Sequence, residues 1–393
     1  MGLKIAIVGA GIGGLTTALA LSRRGHDVTL IERRTGFSEA GAGIQISPNA
    51  SRVLAALGIE AALARIATEP RRVAIRSMRS GAEVASVTLG AFMRERFGAP
   101  YLVVHRADLQ TLLLDAVRSG PNVRLLLGRT LVGVDDGPAG VGVTIERSGG
   151  AREIVGAALV VGADGLWSRT RRAIGDARAP VHRGYAAWRA TVPRAAVPAA
   201  LQGPDTNLWV GRDRHVVHYP LARGGLVNVV AVCGRAQPTD GWTTPGDARE
   251  LADAFKDAAP ALRELFAGAP DWSVWSLADL PARRIAQGRV ALVGDAGHPV
   301  LPFLAQGGAL AIEDAAVLAA ALDASPDEPA AALLRYSGER LARVRRVQGE
   351  ARRNGLIYHM PNPIAFARDL AMRRLGPERM TERYAWLYGW TPP

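Results

Sequence analysis

A strand, a glycine-rich turn and a helix follow one another near the start of the chain, and nothing else in the sequence restricts the fold as much. Residues 3–9 read LKIAIVG, an apolar run of the kind a parallel strand shows when both faces are covered. Residues 13–24 have helical spacing that lets Leu15, Ala18 and Leu19 share a face, and Gly25 ends the run. Residues 28–31 make a second short apolar strand, completing a βαβ unit of about 30 residues. Between strand and helix stands Gly9-Ala10-Gly11-Ile12-Gly13-Gly14. Gly9 permits the tight turn, Gly11 lets a pyrophosphate approach the backbone, and Gly14 lets helix and strand pack closely, with Gly13 in the same turn. The helix start adds free N–H groups and the positive end of a dipole. Glu32 closes the second strand about 20 residues on, where a carboxylate can accept from a ribose hydroxyl. A dinucleotide site is expected, and this turn alone does not separate NAD from FAD.

Two later segments repeat the theme. Gly162-Ala163-Asp164-Gly165 follows the apolar run 158–161, and Gly294-Asp295-Ala296-Gly297-His298-Pro299 follows 290–293. Each puts an aspartate at the carboxyl end of a buried strand, where ligands bind in open α/β sheets. No second Gly-x-Gly-x-x-Gly is present.

Elsewhere, Ser47-Pro48 caps a helix that runs to residue 57, and strands are expected at 72–77 and 83–89. A helix at 107–118 precedes strands at 123–127, 131–135 and 141–146, and a short helix starts near Ser168. From 185 to 275 the character changes to short alternating strands, at 185–192, 207–211, 215–221 and 226–233. Arg223-Gly224-Gly225 joins the last two as a hairpin. Helices are expected near 307–322, 330–353 and 363–375. The fold class is therefore α/β: a Rossmann-like dinucleotide-binding domain with an inserted, mostly antiparallel sheet and C-terminal helices. The dinucleotide domain would take 1–71, 99–180 and 278–325. The inserted domain would take 72–98 and 181–277, leaving 326–393 helical.

Composition narrows the class. With 48% apolar and 21% charged residues, the 393-residue chain reads as globular rather than disordered or fibrous. It shows no apolar run of the roughly 20 residues that a membrane span needs and no signal-peptide leader. Cys233 is the only cysteine, so no internal disulfide is available and no Cys/His cluster has zinc spacing. A cytoplasmic setting without a metal is expected. The formal charge of +12 comes almost wholly from arginine, since lysine occurs only at Lys4 and Lys256. The arginines are dispersed, which argues against a nucleic-acid partner and for a field that draws in anionic small molecules.

Taken together, the motifs resemble the class A flavoprotein monooxygenases, the superfamily of 4-hydroxybenzoate hydroxylase, and most of all its salicylate hydroxylase-like members. The resemblance runs from about Lys4 to Asp323. It rests on GAGIQISPNA at 41–50, VHRADL at 104–109, VVGADGLWSRTR at 160–171 and VGDAGHPVLPFLAQGGALAIEDA at 293–315. It implies FAD as cofactor, with NADH or NADPH as transient co-substrate. It also implies hydroxylation of a small, carboxylated phenol or hydroxypyridine by dioxygen through a flavin C4a-hydroperoxide. Arg33 and Leu131 would join the glycine turn and Glu32 in holding FAD, and Arg106 would reach its pyrophosphate or ribityl region. Asp164 would help handle FAD and NAD(P)H, and Asp295 would bond the ribityl chain. Gly307 and Gly308 would aim helix N–H groups at the flavin N1/O2 edge, where the reduced ring is negative. The alternative is another FAD oxidoreductase of the same fold, of halogenase or reductase type; the chain lacks the Trp-x-Trp-x-x-Pro signature of halogenases.

On the substrate side, strand alternation in Arg214-His215-Val216-Val217-His218-Tyr219-Pro220 puts His215, Val217 and Tyr219 on one face and Val216 and His218 on the other. Periodicity does not say which face meets substrate. The resemblance favours His215 as the group that takes a phenol proton, with Tyr219 and Pro302 beside the reacting ring. Gln45, Trp209 and Phe303 would complete the substrate contacts. Some 3-hydroxybenzoate hydroxylases carry glutamine where this chain has Pro302, so their regiochemistry is not carried over. The sequence singles out no arginine as a carboxylate clamp and leaves the assembly as a monomer or a homodimer.

Overall fold

The computed structural model describes residues 2–37, 42–137, 140–221, 224–239 and 243–393. Gly41 of the GAGIQISPNA stretch and Arg223 of the expected hairpin lie outside the described residues. Lys4–Val8 is the centre of a six-stranded sheet. It pairs in parallel with Leu159–Gly162 on one side and Asp27–Glu32 on the other. Val290–Leu292 and Val123–Leu127 extend the parallel part. Ala286–Gln287 closes one edge antiparallel. All three glycine motifs therefore leave neighbouring strands at the same, carboxyl, end.

Alternation along these strands feeds two cores. Ile5, Ile7, Leu159 and Val161 face the helices Ile12–Ser22 and Gly307–Asp323. Ala6, Val8 and Val160 face an antiparallel three-stranded sheet, Arg129–Gly137, Gly140–Arg147 and Arg152–Ala157, where they meet Leu131, Val143 and Ile145. Complete coverage of both faces is why the first strand reads as an unbroken apolar run.

The inserted sheet has eight strands. In spatial order they are Thr244–Pro245, Ser273–Asp279, Val181–Pro193, Leu226–Gly234, Arg214–Leu221, Thr206–Gly211, Arg72–Ser77 and Glu83–Thr88. Every pairing is antiparallel except that of Thr206–Gly211 with Arg72–Ser77. Its outer face is covered by helices Ala248–Ala254 and Pro260–Ala267, which the alternating-strand reading of 185–275 did not anticipate. Its inner face turns toward the glycine motifs and the C-terminal helices Pro329–Tyr358, Ile364–Leu375 and Pro377–Glu382. A two-stranded ribbon, Gly43–Ile46 with Leu102–His105, lies between the two sheets; the sequence did not signal it either. The expected helix after Ser168 is a 3₁₀ turn, Thr170–Ile174.

A buried ionic cluster ties the third motif to the long C-terminal helix. Arg340 donates to Asp314 Oδ1 at 2.7 Å and to Glu313 Oε2 at 2.6 Å, and all three side chains are buried. Asp314 Oδ2 also meets Gly294 N at 2.8 Å and His298 Nε2 at 2.6 Å. Burial alone would raise the Asp314 carboxyl, but His298 and Arg340 overcome it and hold it at about 2. Such a cluster adds little net stability; its effect here is to fix the turn that carries Asp295. No helix among the described residues is long and apolar enough to cross a membrane.

Candidate active site

The glycine turn has the form its spacing implied. Gly9 sits at φ +105°, and a Cβ there would lie 2.4 Å from the Ala163 carbonyl oxygen, so the first motif packs directly on the second. A Cβ on Gly14 would lie 1.9 Å from Gly9 O, and one on Gly13 would lie 3.1 Å from Ala311 Cβ. Gly11 differs: a Cβ there would meet no atom within 4 Å. Packing within the protein thus requires glycine at positions 9 and 14 and leaves position 11 free. Open space beside the start of an 11-residue helix is what an approaching pyrophosphate needs.

Around this turn, Glu32 ends its strand and accepts from Ala10 N and Arg34 N, each at 2.9 Å, while Arg33 is exposed. Leu131 packs its side chain into the core between the two sheets, and its carbonyl accepts from Arg169 at 2.9 Å. It offers only backbone to a ligand. Asp164 is also turned inward. It accepts from Ser168 Oγ at 2.5 Å, Arg169 N at 2.8 Å, and Thr170 N and Oγ1 at 3.0 and 3.1 Å. Both its oxygens cap its own 3₁₀ turn, so it shapes the loop under Gly9 rather than reaching outward.

Asp295, Arg106 and Arg189 behave otherwise. Among the described residues neither Asp295 nor Arg106 forms a side-chain hydrogen bond, and Arg189 Nε is buried without a partner. Burial pushes the Asp295 carboxyl up, against the pull of His298, Arg106 and Arg189. It pushes the Arg106 guanidinium down, with Asp295 opposing. Arg189, 4.7 Å over the Trp275 ring, is lowered to about 10 by burial and then by Arg106. Such groups are costly to leave unsatisfied, and an elongated, partly anionic dinucleotide would satisfy them. Gly307 and Gly308 open a 17-residue helix at the same place. A Cβ on Gly307 would lie 3.9 Å from Asp295 Oδ1, and one on Gly308 would lie 2.5 Å from Ile44 Cδ1. The free N–H groups of that helix therefore border Asp295. These residues fit an FAD whose pyrophosphate meets Gly11 and whose ring end meets Gly307.

The inner face of the inserted sheet resolves the strand-face question. His215 and Val217 line a cavity of about 130 Å³ together with Gln45, Phe303 and Pro302. That is the order of size, roughly 150 Å³, that accepts a single benzene ring. Tyr219 shares the face and sits just beyond the cavity, its ring against Gly43 and its hydroxyl bonded to Gln45. Gln45 is held from the other side by the Tyr101 hydroxyl. Pro302 opens the turn Pro302–Leu304 and has no group that exchanges protons; it is a wall and not a catalyst. Trp209 belongs to the opposite face, buried with Met78 and Ala259 under the outer helices, so it is not a substrate contact. Leu208, its neighbour, takes the cavity side. A wider groove lined by Lys4, Asp27 and Asn122 lies at the amino ends of the parallel strands, away from every glycine motif.

His215 is 3% exposed, and burial together with nearby His359 keeps its imidazole well below its usual pKa. It is a neutral base at neutral pH. Its Nδ1 is 2.8 Å from His359 Nε2. His359 was not recognised from the sequence, and neither were Asn354, Tyr358, Met372, Tyr384 and Arg383, the cavity wall supplied by the C-terminal helices. Arg383 is the one charged side chain among the cavity residues. It is exposed and has no ion pair among the described residues; burial and then Tyr384 and Tyr388 push the neighbouring Tyr358 hydroxyl well above its usual range, with Arg383 only partly opposing them.

Comparison with known proteins agrees with this architecture. Residues 3–351 match the family model of the FAD binding domain. A 3-amino-4-hydroxybenzoate 2-monooxygenase from Streptomyces platensis is 39% identical, covering 98% of this chain and 96% of that protein. A 3-hydroxybenzoate 6-hydroxylase from Polaromonas naphthalenivorans is 35% identical over 99% of this chain and 96% of that protein. Among solved structures, HpxO of Klebsiella pneumoniae complexed with FAD and uric acid superposes with a TM-score of 0.86. It is 28% identical and covers 98% of this chain and 96% of that one. With its glycine turn, its unpaired charges and the cavity above them, this chain belongs to the FAD binding domain family and is one of its FAD-dependent monooxygenases.

Proposed function

We propose that this enzyme hydroxylates a single-ring aromatic carboxylate bearing a hydroxyl group, an aminohydroxybenzoate or hydroxybenzoate, using dioxygen and NADH or NADPH. The observation that carries the reading is the cavity itself: ring-sized, apolar on its walls, with a neutral histidine inside and one arginine at its mouth. Arg106, Asp295 and the amides at Gly307 and Gly308 would hold FAD. Bound FAD supplies the redox chemistry, taking electrons from the nicotinamide and activating dioxygen. The rest belongs to the protein. His215 accepts the phenol proton and leaves an electron-rich ring. Gln45, fixed between Tyr101 and Tyr219, borders the ring on the flavin side. Phe303 and Leu304 keep water from the reacting centre. Arg383 pairs with the substrate carboxylate, as a guanidinium without another ion pair is placed to do.

The test is NAD(P)H oxidation and product mass with 3-amino-4-hydroxybenzoate, 3-hydroxybenzoate and the corresponding aminophenol lacking the carboxylate. The carboxylated compounds should stimulate turnover and gain one oxygen. Arg383→Gln should raise KM about tenfold for them, the scale of one charged hydrogen bond of about 1.5 kcal/mol, and leave the aminophenol's KM unchanged. If no aromatic acid stimulates oxidation or becomes hydroxylated, the reading is wrong. An equal KM change for both compounds would remove Arg383 from it.

A further inference from the structure

We propose that His359 is a positioning residue for His215: it fixes the tautomer in which His215 can take the phenol proton, and it carries that proton on to solvent. The proposal rests on the reading of His215 as the base and extends it to a residue 144 positions away that no motif marks.

Two neutral imidazoles 2.8 Å apart share one proton, and only one of them can donate. If His215 Nδ1 holds it, Nε2 keeps a free lone pair for the phenol. If His359 Nε2 holds it, His215 must carry its own proton on Nε2 and cannot act as a base. The contact therefore decides whether His215 works. His359 is held for the task. It caps the helix Pro329–Tyr358, its carbonyl accepts from Asp213 N at 3.3 Å, and its ring packs on Tyr185 at 4.9 Å between centroids. The Phe303 ring packs edge-on against both imidazoles, 5.1 Å from His215 and 5.8 Å from His359 between centroids.

The charges around the pair set a direction. His215 is fully enclosed, and burial first and then its partner His359 lower its proton affinity. His359 is lowered by burial to about 4, but it faces the carboxylate of Asp213, which pulls the other way. Asp213 is exposed in the hairpin turn between Gly211 and Arg214, with Arg212 at 3.4 Å. Other titratable groups nearby are Tyr185, Tyr358, and Arg368, whose guanidinium is engaged with Asp369 at 2.8 Å and with the Ile357 and Tyr358 carbonyls. A positive charge is thus easier to hold on His359 than on His215. In the proposed sequence the phenol O–H breaks as His215 Nε2–H forms. The His215 Nδ1–H then breaks as His359 Nε2–H forms, and the His359 Nδ1 proton passes to water beside Asp213. The product is a phenolate with both histidines neutral in exchanged tautomers. Reprotonation of the hydroxylated product by the reverse path restores the starting arrangement.

The experiment uses the FAD-loaded full chain with histidine-selective ¹⁵N labelling, read by NMR, and then 3-amino-4-hydroxybenzoate as the kinetic probe. The parent should show His215 as the Nδ1–H tautomer. His359→Gln, whose side-chain carbonyl still accepts, should keep it; His359→Phe should shift His215 toward Nε2–H. Flavin occupancy and KM should stay within about twofold in both variants. Because Gln cannot pass the proton on, both should lower kcat by roughly 10²-fold, the lower end of general-base effects. Added imidazole should restore part of the rate to His359→Ala. An Nε2–H tautomer at His215 in the parent would overturn the proposal. So would an unchanged kcat in His359→Phe when His215→Gln is slow, with the base reading intact. Unchanged rates in both His215→Gln and His359→Phe would instead remove the base reading itself.

Discussion

Gly11→Ala should make the flavin-free protein more stable and the flavin-bound protein less so, a reversal that follows from the geometry at this one position. Gly11 sits at φ −75° and ψ −178°, an ordinary extended conformation for alanine, and the added Cβ meets nothing within 4 Å. Removing glycine's freedom from the unfolded chain at such a site gives about 0.4–1 kcal/mol. The same Cβ stands where the pyrophosphate must approach. Overpacking of one methyl costs about 1–3 kcal/mol, so FAD should bind roughly 5–150-fold more weakly. With FAD in excess, stabilisation follows RT ln(1 + [FAD]/Kd) and falls by the same amount. Melting of the apoprotein and an FAD titration followed by flavin fluorescence measure both sides. Gly14→Ala is the contrast, since its Cβ would lie 1.9 Å from Gly9 O and should destabilise the apoprotein directly. The reasoning fails if Gly11→Ala binds FAD as tightly as the parent, or if it loses stability before FAD is added.

Asp295→Ala should weaken FAD retention by about 10–150-fold, the scale of hydrogen bonds to a charged group at roughly 1.5–3 kcal/mol. The apoprotein should be no less stable, because burial already disfavours that carboxylate; undiminished flavin occupancy would refute the assignment. A further expectation concerns acid. His218 is lowered to about 3 and His359 to about 4, both by burial first, against about 6.5 when unfolded. The unfolded chain then binds protons that the folded chain refuses, so stability is full above pH 6.5 and declines as pH falls toward 4 and then 3. Replacing His218 with Phe should flatten the fall in apoprotein stability between pH 6.5 and 5, and an unchanged slope would contradict its depressed pKa.

What the sequence revealed and what it hid divide along physical lines. The parallel strands and their glycine turns were legible because each motif is local: a covered strand, a turn needing glycine at positions 9 and 14, and a helix start lie within about 30 consecutive residues. Alternation placed His215, Val217 and Tyr219 together correctly for the same reason. It misled at Trp209, because alternation says that two residues share a face and not what that face meets; one step along the strand, Leu208 has the cavity and Trp209 the outer helices. Asp164 shows another ambiguity. An aspartate after a buried strand is equally suited to a ligand and to holding its own turn, and spacing did not reveal its contacts with Ser168 and Thr170.

The far wall of the cavity was invisible for a deeper reason. Tyr358 and Met372 lie on helices whose apolar and aromatic spacing is the same whether the stripe packs against protein or against a ligand. Arg340 shows how such a wall is nevertheless fixed. It reads as one more arginine in a basic helix, yet it is buried against Glu313 and Asp314, and through Asp314 it reaches the Gly294 amide. The helix that ends at His359 and the turn that carries Asp295 are therefore braced by one set of charges. The substrate wall and the flavin cleft are positioned relative to each other by residues that touch neither. Motifs mark the residues that fit the cofactor; one wall of the cavity comes from the 354–388 segment, where no motif is found.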